Sequence, residues 1–260
     1  MNDQFEYNAE FYGTRIRYAR GRSIREGNEI HSYHEILFFI KGGGRLFTED
    51  FEATLDAPTL CILPKNSYHR FTVENQDEYT RIAIGIDSDS TEGIDLGCRG
   101  CRIISPLTPS LDFILERLKE AITCRETAAS RTMIRGAVMM LIAELADSSD
   151  ASTSPERRAI PEAIEGCIEY IEKHLSSPIK LCDIAREAGL SETALSRLFQ
   201  ESLGISVYRY VTKKRIARAE ELLLCGELPT KIYADVGFGD YATFYKAYRK
   251  ERGKSPSSRR

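Results

Sequence analysis

Two histidines and two carboxylates are the residues of this chain best suited to chemistry: Glu29, His31, Glu35 and His69. Two imidazoles with a carboxylate suit Fe, Mn, Ni or Zn. The same groups can instead hydrogen-bond to one another or to an organic ligand. Tyr33, with Tyr12, Arg15 and Tyr68, is placed to line or rim such a pocket, or to pack in the core. Cys98 and Cys101 form a lone Cys-x-x-Cys, which without a second pair reads as two loop thiols. Ser/His/Asp triads, phosphate loops and dinucleotide fingerprints are absent, which leaves binding rather than catalysis as the expectation.

The elements around these residues read as β. Ile36–Ile40, Leu46–Thr48, Leu60–Leu63 and Thr80–Ile86 are short apolar runs punctuated by Gly and Pro. Such runs predict a sandwich or a small barrel over residues 5–87, with an irregular stretch over 87–108. Two amphipathic helices are expected next, over 109–124 and 131–146. Their apolar stripes are Leu111, Ile114, Leu115, Leu118 and Ile122, then Ile134, Val138, Leu141, Ile142 and Leu145. Met139 and Met140 widen the second helix beyond one stripe, so a sheet or a second subunit must cover it. Residues 148–155 are rich in Ser and Asp and read as a linker. Everything beyond is helical in pattern.

A length of 260 residues suits two domains, here residues 1–147 and 160–260 joined by 148–159. The longest apolar run, Ala137–Ala143, is far short of a membrane span. The first ten residues carry three acids and no apolar block, unlike a signal peptide. Seven scattered cysteines fit reduced thiols. A cytoplasmic protein without a membrane partner is expected. The net charge of −3 conceals an asymmetry: residues 180–260 hold 16 Lys and Arg against 10 Asp and Glu, a balance of +6 on a body of −9. A basic third on an acidic body points to a polyanion for that third.

That third repeats itself. Ile184, Glu187 and Gly189 recur 48 residues on as Ile232, Asp235 and Gly237. One residue is then inserted. Ser191 matches Asp240, Leu195 Phe244, Arg197 Lys246, Phe199 Tyr248, and Gly204 and Ser206 match Gly253 and Ser255. Each copy is a short helix, a glycine turn and a capped second helix, the pattern of a helix-turn-helix unit. Its second helix buries one face and offers the other to the major groove. The free face is Thr193, Ser196, Arg197 and Gln200 in the first copy, and Ala242, Tyr245, Lys246 and Arg249 in the second. Arg197 is the candidate base reader. Lys214, on the long helix expected over 207–225, is a candidate for a sequence-independent contact.

With Ile184, Ala185, Gly189, Leu190, Ser191, Leu195–Phe199, Tyr210, Arg215, Ala219, Leu222 and Leu223, and again Gly237, Phe238, Asp240, Phe244–Lys246, Gly253, Ser255 and Pro256, the chain resembles the AraC/XylS family of transcription regulators. The resemblance covers about residues 160–260. It implies two helix-turn-helix subdomains on one connecting helix, sequence-specific binding of double-stranded promoter DNA, and RNA polymerase as a further partner of an activator. Many members carry a cupin barrel ahead of that part. Glu29, His31, Glu35 and Gly42 fall on the spacing of the first cupin motif, with Glu29 at the usual first His, and Pro64 and His69 fall on the second.

The expected architecture is therefore α+β: a cupin-like β-barrel with a helical dimerisation pair, then an all-α double helix-turn-helix. The expected function is an effector-responsive regulator, a homodimer and not an enzyme. Its effector site would be His31, Tyr33, Glu35 and His69. Regulatory cupins of this family commonly lack metal, so neither metal nor cofactor is expected. The alternative is a metal-dependent cupin enzyme fused to a DNA-targeting module. The fragment 159–260 is expected to fold alone.

Overall fold

The computed structural model describes residues 5–11, 13–21, 27–73, 79–87, 100–147 and 157–257. The N-terminal half is three layers deep: two sheets, and a helix pair on the outer face of the first. Strands β1 (Phe5–Phe11), β2 (Thr14–Arg20), β3 (Asn28–Glu29), β4 (His34–Lys41), β5 (Gly43–Thr48), β6 (Phe51–Asp56), β7 (Thr59–Leu63), β8 (His69–Val73), β9 (Thr80–Ile86) and β10 (Arg102–Ile104) precede helices α1 (Pro109–Thr123) and α2 (Ala128–Asp147). The first sheet runs β1-β2-β9-β4-β7-β10. The second runs β11-β6-β5-β8-β3, where β11 is Arg157–Ala159.

The apolar run of β4 explains the layering. Successive strand residues point to opposite faces. Ile36 and Phe38 pack with Leu111, Leu115, Leu118, Val138 and Leu141 of the helix pair. Leu37 and Phe39 pack with Leu46, Leu55 and Phe71 of the second sheet. A strand covered on both faces needs apolar residues at every position, which accounts for its lack of alternation. Glu35 shares the parity of Leu37 and therefore looks inward between the sheets. The expected cupin-like strands are present, and among the described residues the two sheets share no strand pairing, so the barrel is not closed. The helix pair covers one face of the first sheet, so the fold is a capped sandwich of cupin-like strands.

The helix ends follow their caps. Thr108 Oγ1 accepts from the Leu111 amide at 3.2 Å, with Pro109 in the first turn. Thr127 and Ser130 cap each other reciprocally, Thr127 Oγ1 accepting from Ser130 N at 3.0 Å and Ser130 Oγ from Thr127 N at 2.8 Å. That pair starts α2 at Ala128, three residues before the expected start at 131. The end of the expected linker is ordered as β11, which pairs with Phe51–Ala53 of β6. Cys98 lies outside the described residues, and Cys101 is buried beside Ser67 Oγ at 3.6 Å.

The C-terminal half is helical: α3 (Glu162–Lys173), α4 (Leu181–Glu187), α5 (Glu192–Leu203), α6 (Val207–Leu224), α7 (Pro229–Asp235) and α8 (Tyr241–Arg252). The internal repeat is structural. Ser191 and Asp240 cap α5 and α8 through the amides of Ala194 and Thr243. Gly189 and Gly237 occupy the two turns at φ 65° and 90°, a region that suits glycine. At Gly237 a Cβ would also stand 2.4 Å from the Leu175 carbonyl oxygen. The first unit closes over Ile184, Leu195, Phe199 and Tyr210, and the second over Ile232, Val236, Phe238, Phe244 and Tyr248. Ile30 and Tyr68 of the N-terminal half sit in the first unit's core, so that core is shared between the halves.

Candidate functional site

Both predicted reading faces are turned outward. Thr193, Ser196, Arg197 and Gln200 are exposed along α5, while Leu195 and Phe199 on its other side are fully buried. On α8, Ala242, Lys246 and Arg249 are exposed and Tyr245 is half-buried, with Phe244 and Tyr248 inward. The spacing of one buried residue per turn leaves this polar stripe on each helix. Among the described residues Arg197 makes one loose ion pair, with Glu201 at 3.8 Å, which leaves its guanidinium able to fork onto a guanine or a phosphate. Asp240, the α8 cap, is held below the usual carboxylate range by hydrogen bonds from the backbone and hydroxyl of Thr243.

Lys214 is not on that surface. Its ammonium is buried, 2.8 Å from Glu49, 2.7 Å from Glu172 and 2.8 Å from the Asn66 carbonyl. The expectation of a DNA contact there is corrected: this part of α6 faces the N-terminal half. Burial pulls the ammonium pKa down, but the two carboxylates raise it further than burial lowers it.

The predicted effector residues are brought together between the sheets. Glu29 and His69 are directly opposed across β3 and β8, so their side chains share a face. Glu35 arrives from β4. His31 Nε2 and His69 Nε2 each stand 3.3 Å from Glu35 Oε2, and His69 Nε2 is 3.8 Å from Glu29 Oε2. His31, Glu35 and His69 are buried, and the Glu29 side chain is 47% exposed. His31 Nδ1 donates to the Tyr33 carbonyl oxygen at 2.8 Å. The His31 ring stacks on Tyr33 at 3.9 Å, and Arg15 covers the Tyr33 ring at 4.6 Å. Tyr33 lies over the strand at Gly85, where a Cβ would stand 2.8 Å from its ring. Tyr12 is outside the described residues.

Burial raises the Glu35 carboxyl, yet the hydrogen bonds and charges of His31 and His69 outweigh it and hold Glu35 well below its usual range. Burial lowers His69, but Glu29 and Glu35 carry it up to about 9. His69 thus sits between the carboxylates of Glu29 and Glu35.

Sequence reasoning missed the connection between this cluster and the helical half. Asn28 Nδ2 donates to the Gly204 carbonyl at 3.3 Å, and the Tyr68 hydroxyl donates to the Leu203 carbonyl and lies 2.7 Å from Asn28 Oδ1. Arg252 Nη2 donates to the Ile30 carbonyl at 3.1 Å and pairs with Glu220 at 3.0 Å. Asn66 Nδ2 donates to Glu221 at 2.7 Å, and the Tyr210 hydroxyl to Glu49 at 2.6 Å. The signal available in the sequence is the acidic pair Glu220 and Glu221 near the end of an otherwise basic helix.

Residues 11–153 match the family described as AraC-like ligand binding domain, and residues 184–260 match the Helix-turn-helix domain family. The chain is 25% identical over 271 residues to the Msm operon regulatory protein of Streptococcus mutans, covering 98% of this chain and 92% of that one. It is 22% identical to the raffinose operon transcriptional regulatory protein RafR of Pediococcus pentosaceus, over 98% and 94% of the two chains. The arabinose operon regulatory protein of Escherichia coli K12 is 37% identical over 95 residues, 36% of this chain and 32% of that one. A ligand-binding half ahead of two matched helix-turn-helix units therefore places the chain in the AraC family of effector-responsive, DNA-binding transcription regulators.

Proposed function

We propose that this regulator reads promoter DNA with Thr193, Ser196, Arg197 and Gln200 in one major groove and Ala242, Tyr245, Lys246 and Arg249 in the next, and senses its effector at His31, Tyr33, Glu35 and His69. The observation that carries the first part is the equivalence of the two faces: both are exposed apart from the half-buried Tyr245, both helices are capped at the same point, and each face carries a basic residue at the matched position. A rigid α6 between them suits readers about one DNA turn apart, ~34 Å. The second part is supported by the burial and convergence of His31, Glu35 and His69 on the inner face of the sandwich, with Tyr33 stacked on His31.

The protein works as a cytoplasmic homodimer joined through α1 and α2, recruits RNA polymerase, and has no catalytic turnover. Phe113, Met133, Met139 and Met140 are exposed on that helix pair. Exposed apolar side chains grouped on one element favour a partner surface. No helix among the described residues is long and apolar enough to cross a membrane.

Selection of bound duplexes from a random pool tests the reading. The expected motif has two conserved blocks per protomer with centres about 10 base pairs apart. A motif with a single block, or none, contradicts two-unit reading.

A further inference from the structure

One cavity lies wholly inside the DNA-binding half, between the two helix-turn-helix units. Its volume is about 330 Å³, within the range of small-molecule sites, ~300–1,000 Å³. Its apolar wall is Ile184 of α4, Val207 and Val211 of α6, and Phe238 of the second turn, all buried. Its rim is Ser196 of α5, Tyr208 of α6 and Thr243 of α8, all exposed. The cavity therefore opens between the two helices that carry the reading faces.

Arg215 is the charged residue that lines it. Its Nε donates to the Leu175 carbonyl at 3.0 Å and its Nη2 to the Ser177 carbonyl at 2.7 Å. The guanidinium lies 5.8 Å from the centre of the Phe238 ring. It also lies against Gly237, where a Cβ would stand 2.7 Å from Nε. The neighbouring cations of α6 are each met by a carboxylate: Lys213 by Glu251, Lys214 by Glu49 and Glu172, and Arg218 by Glu221. Among the described residues Arg215 is met by carbonyls alone. Those dipoles use two of its five N–H donors and leave its charge unneutralised. Burial pulls its pKa below the ordinary arginine value, against a smaller opposite pull from Tyr208. A charge drawn out of water beside an apolar wall favours a counter-ion.

That wall and that charge together select a molecule with an apolar body and one anionic head. A carboxylate matches the planar fork of a guanidinium. A DNA phosphate could meet the arginine, but it has no apolar body to lay against Ile184, Val207, Val211 and Phe238. We propose that this cavity binds a small apolar carboxylate, head on Arg215 and body on those four side chains, and that the bound anion weakens DNA binding. The site is separate from His31, Tyr33, Glu35 and His69. Its effect on DNA rests on the reading faces assigned above. An anion seated between α5 and α8 adds negative charge where the duplex backbone must pass from one groove to the next, and it holds the two units at one spacing. Linkage makes the effect reciprocal: DNA weakens the carboxylate by the same factor.

The test uses the full chain and 3-cyclohexylpropanoate, with 3-cyclohexylpropanamide as its neutral match, followed by calorimetry and amide hydrogen exchange. One equivalent of the carboxylate should bind, and the amide about 10-fold or more weaker. The carboxylate should slow exchange over 207–215 and 237–243 and leave 28–35 unchanged. Arg215→Gln should weaken the carboxylate by about 10-fold or more and spare the amide. Should that variant fail to fold, Gly239→Leu serves. Gly239 lines the cavity and a Cβ there meets nothing within 4 Å, so the added side chain should fill the site and weaken both compounds. Saturating carboxylate should lower affinity for the selected duplex several-fold in the parent and leave Gly239→Leu unaffected.

The inference is overturned if the folded parent takes no carboxylate saturably, or takes acid and amide equally. Slowing of exchange over 28–35 in place of 207–215 would put the compound in the sandwich and overturn this site. Unchanged DNA affinity at saturation overturns the link to DNA. A smaller salt slope of DNA binding in ligand-free Arg215→Gln would give Arg215 to a backbone phosphate instead. Calorimetry decides binding without DNA, so failure of this site and failure of the reading faces show separately.

Discussion

Ser32 Oγ donates to Glu220 Oε2 at 3.0 Å across 188 residues of sequence. The same carboxylate oxygen receives Arg252 from α8. One residue beside the buried His31 is thereby joined to the connecting helix and to the end of the second reading helix. Whatever shifts His31 is felt where the orientation of the two units is set. An effector changes DNA affinity only through such a difference between states.

Ser32→Ala removes one link without touching either the reading faces or the four-residue cluster. We expect a stability change of about 1 kcal/mol and a marked loss of the difference in DNA affinity between effector-bound and effector-free protein. Gel-shift titrations with and without effector measure it. An unchanged difference would place the coupling elsewhere in the interface.

Lys214→Met leaves Glu49 and Glu172 without their shared cation. Breaking a buried pair from one side costs about 3–5 kcal/mol. The melting temperature should fall by several degrees, while the salt dependence of DNA binding stays that of the parent because the side chain faces the N-terminal half. A reduced salt slope with normal stability would return Lys214 to the DNA surface.

The two turn glycines should differ. Gly189→Ala meets nothing within 4 Å and carries only the positive-φ penalty, about 1 kcal/mol. Gly237→Ala adds a clash with the Leu175 carbonyl and the Arg215 side chain, so it should be the more destabilising in chemical denaturation. Equal losses would mean that the second unit relaxes around its turn.

The repeat, the exposed polar faces of α5 and α8 and most helix bounds were legible because each rests on local rules: a cap, a glycine turn and one apolar residue per helical turn. Leu195 and Phe199 could be assigned inward, and Arg197 outward, from spacing alone. The cluster of Glu29, His31, Glu35 and His69 was legible as a set of residue types, but not that Glu29 and His69 would be register partners. Register depends on long-range pairing. The docking of Asn28, Ser32, Tyr68 and Asn66 onto the helical half had no local signature, since single polar residues meet backbone carbonyls or glutamate carboxylates more than a hundred positions away. Strands β1 and β6 do alternate apolar and polar residues and were legible in principle, whereas β8 opens on His69, a polar residue whose burial depends on its pairing with β3 and β5.

Phe113→Glu or Met140→Glu puts a charge into the exposed apolar surface of the helix pair. Sedimentation should show the parent as a dimer and the variants shifted toward monomer, with DNA affinity reduced by the lost avidity. Variants that remain dimeric would move the dimer contact off this face.

Arg197→Ala tests the central claim most directly, by gel-shift titration on the selected duplex and on a scrambled one at two salt concentrations. The account predicts a loss of about 10–100-fold on the selected duplex, little change on the scrambled one, and relaxed base preference in one block of the site, as the removal of a forked arginine–guanine contact worth ~1–3 kcal/mol requires. Equal loss on both duplexes would make Arg197 a backbone anchor, and no loss on either would contradict the placing of this face of α5 in the groove.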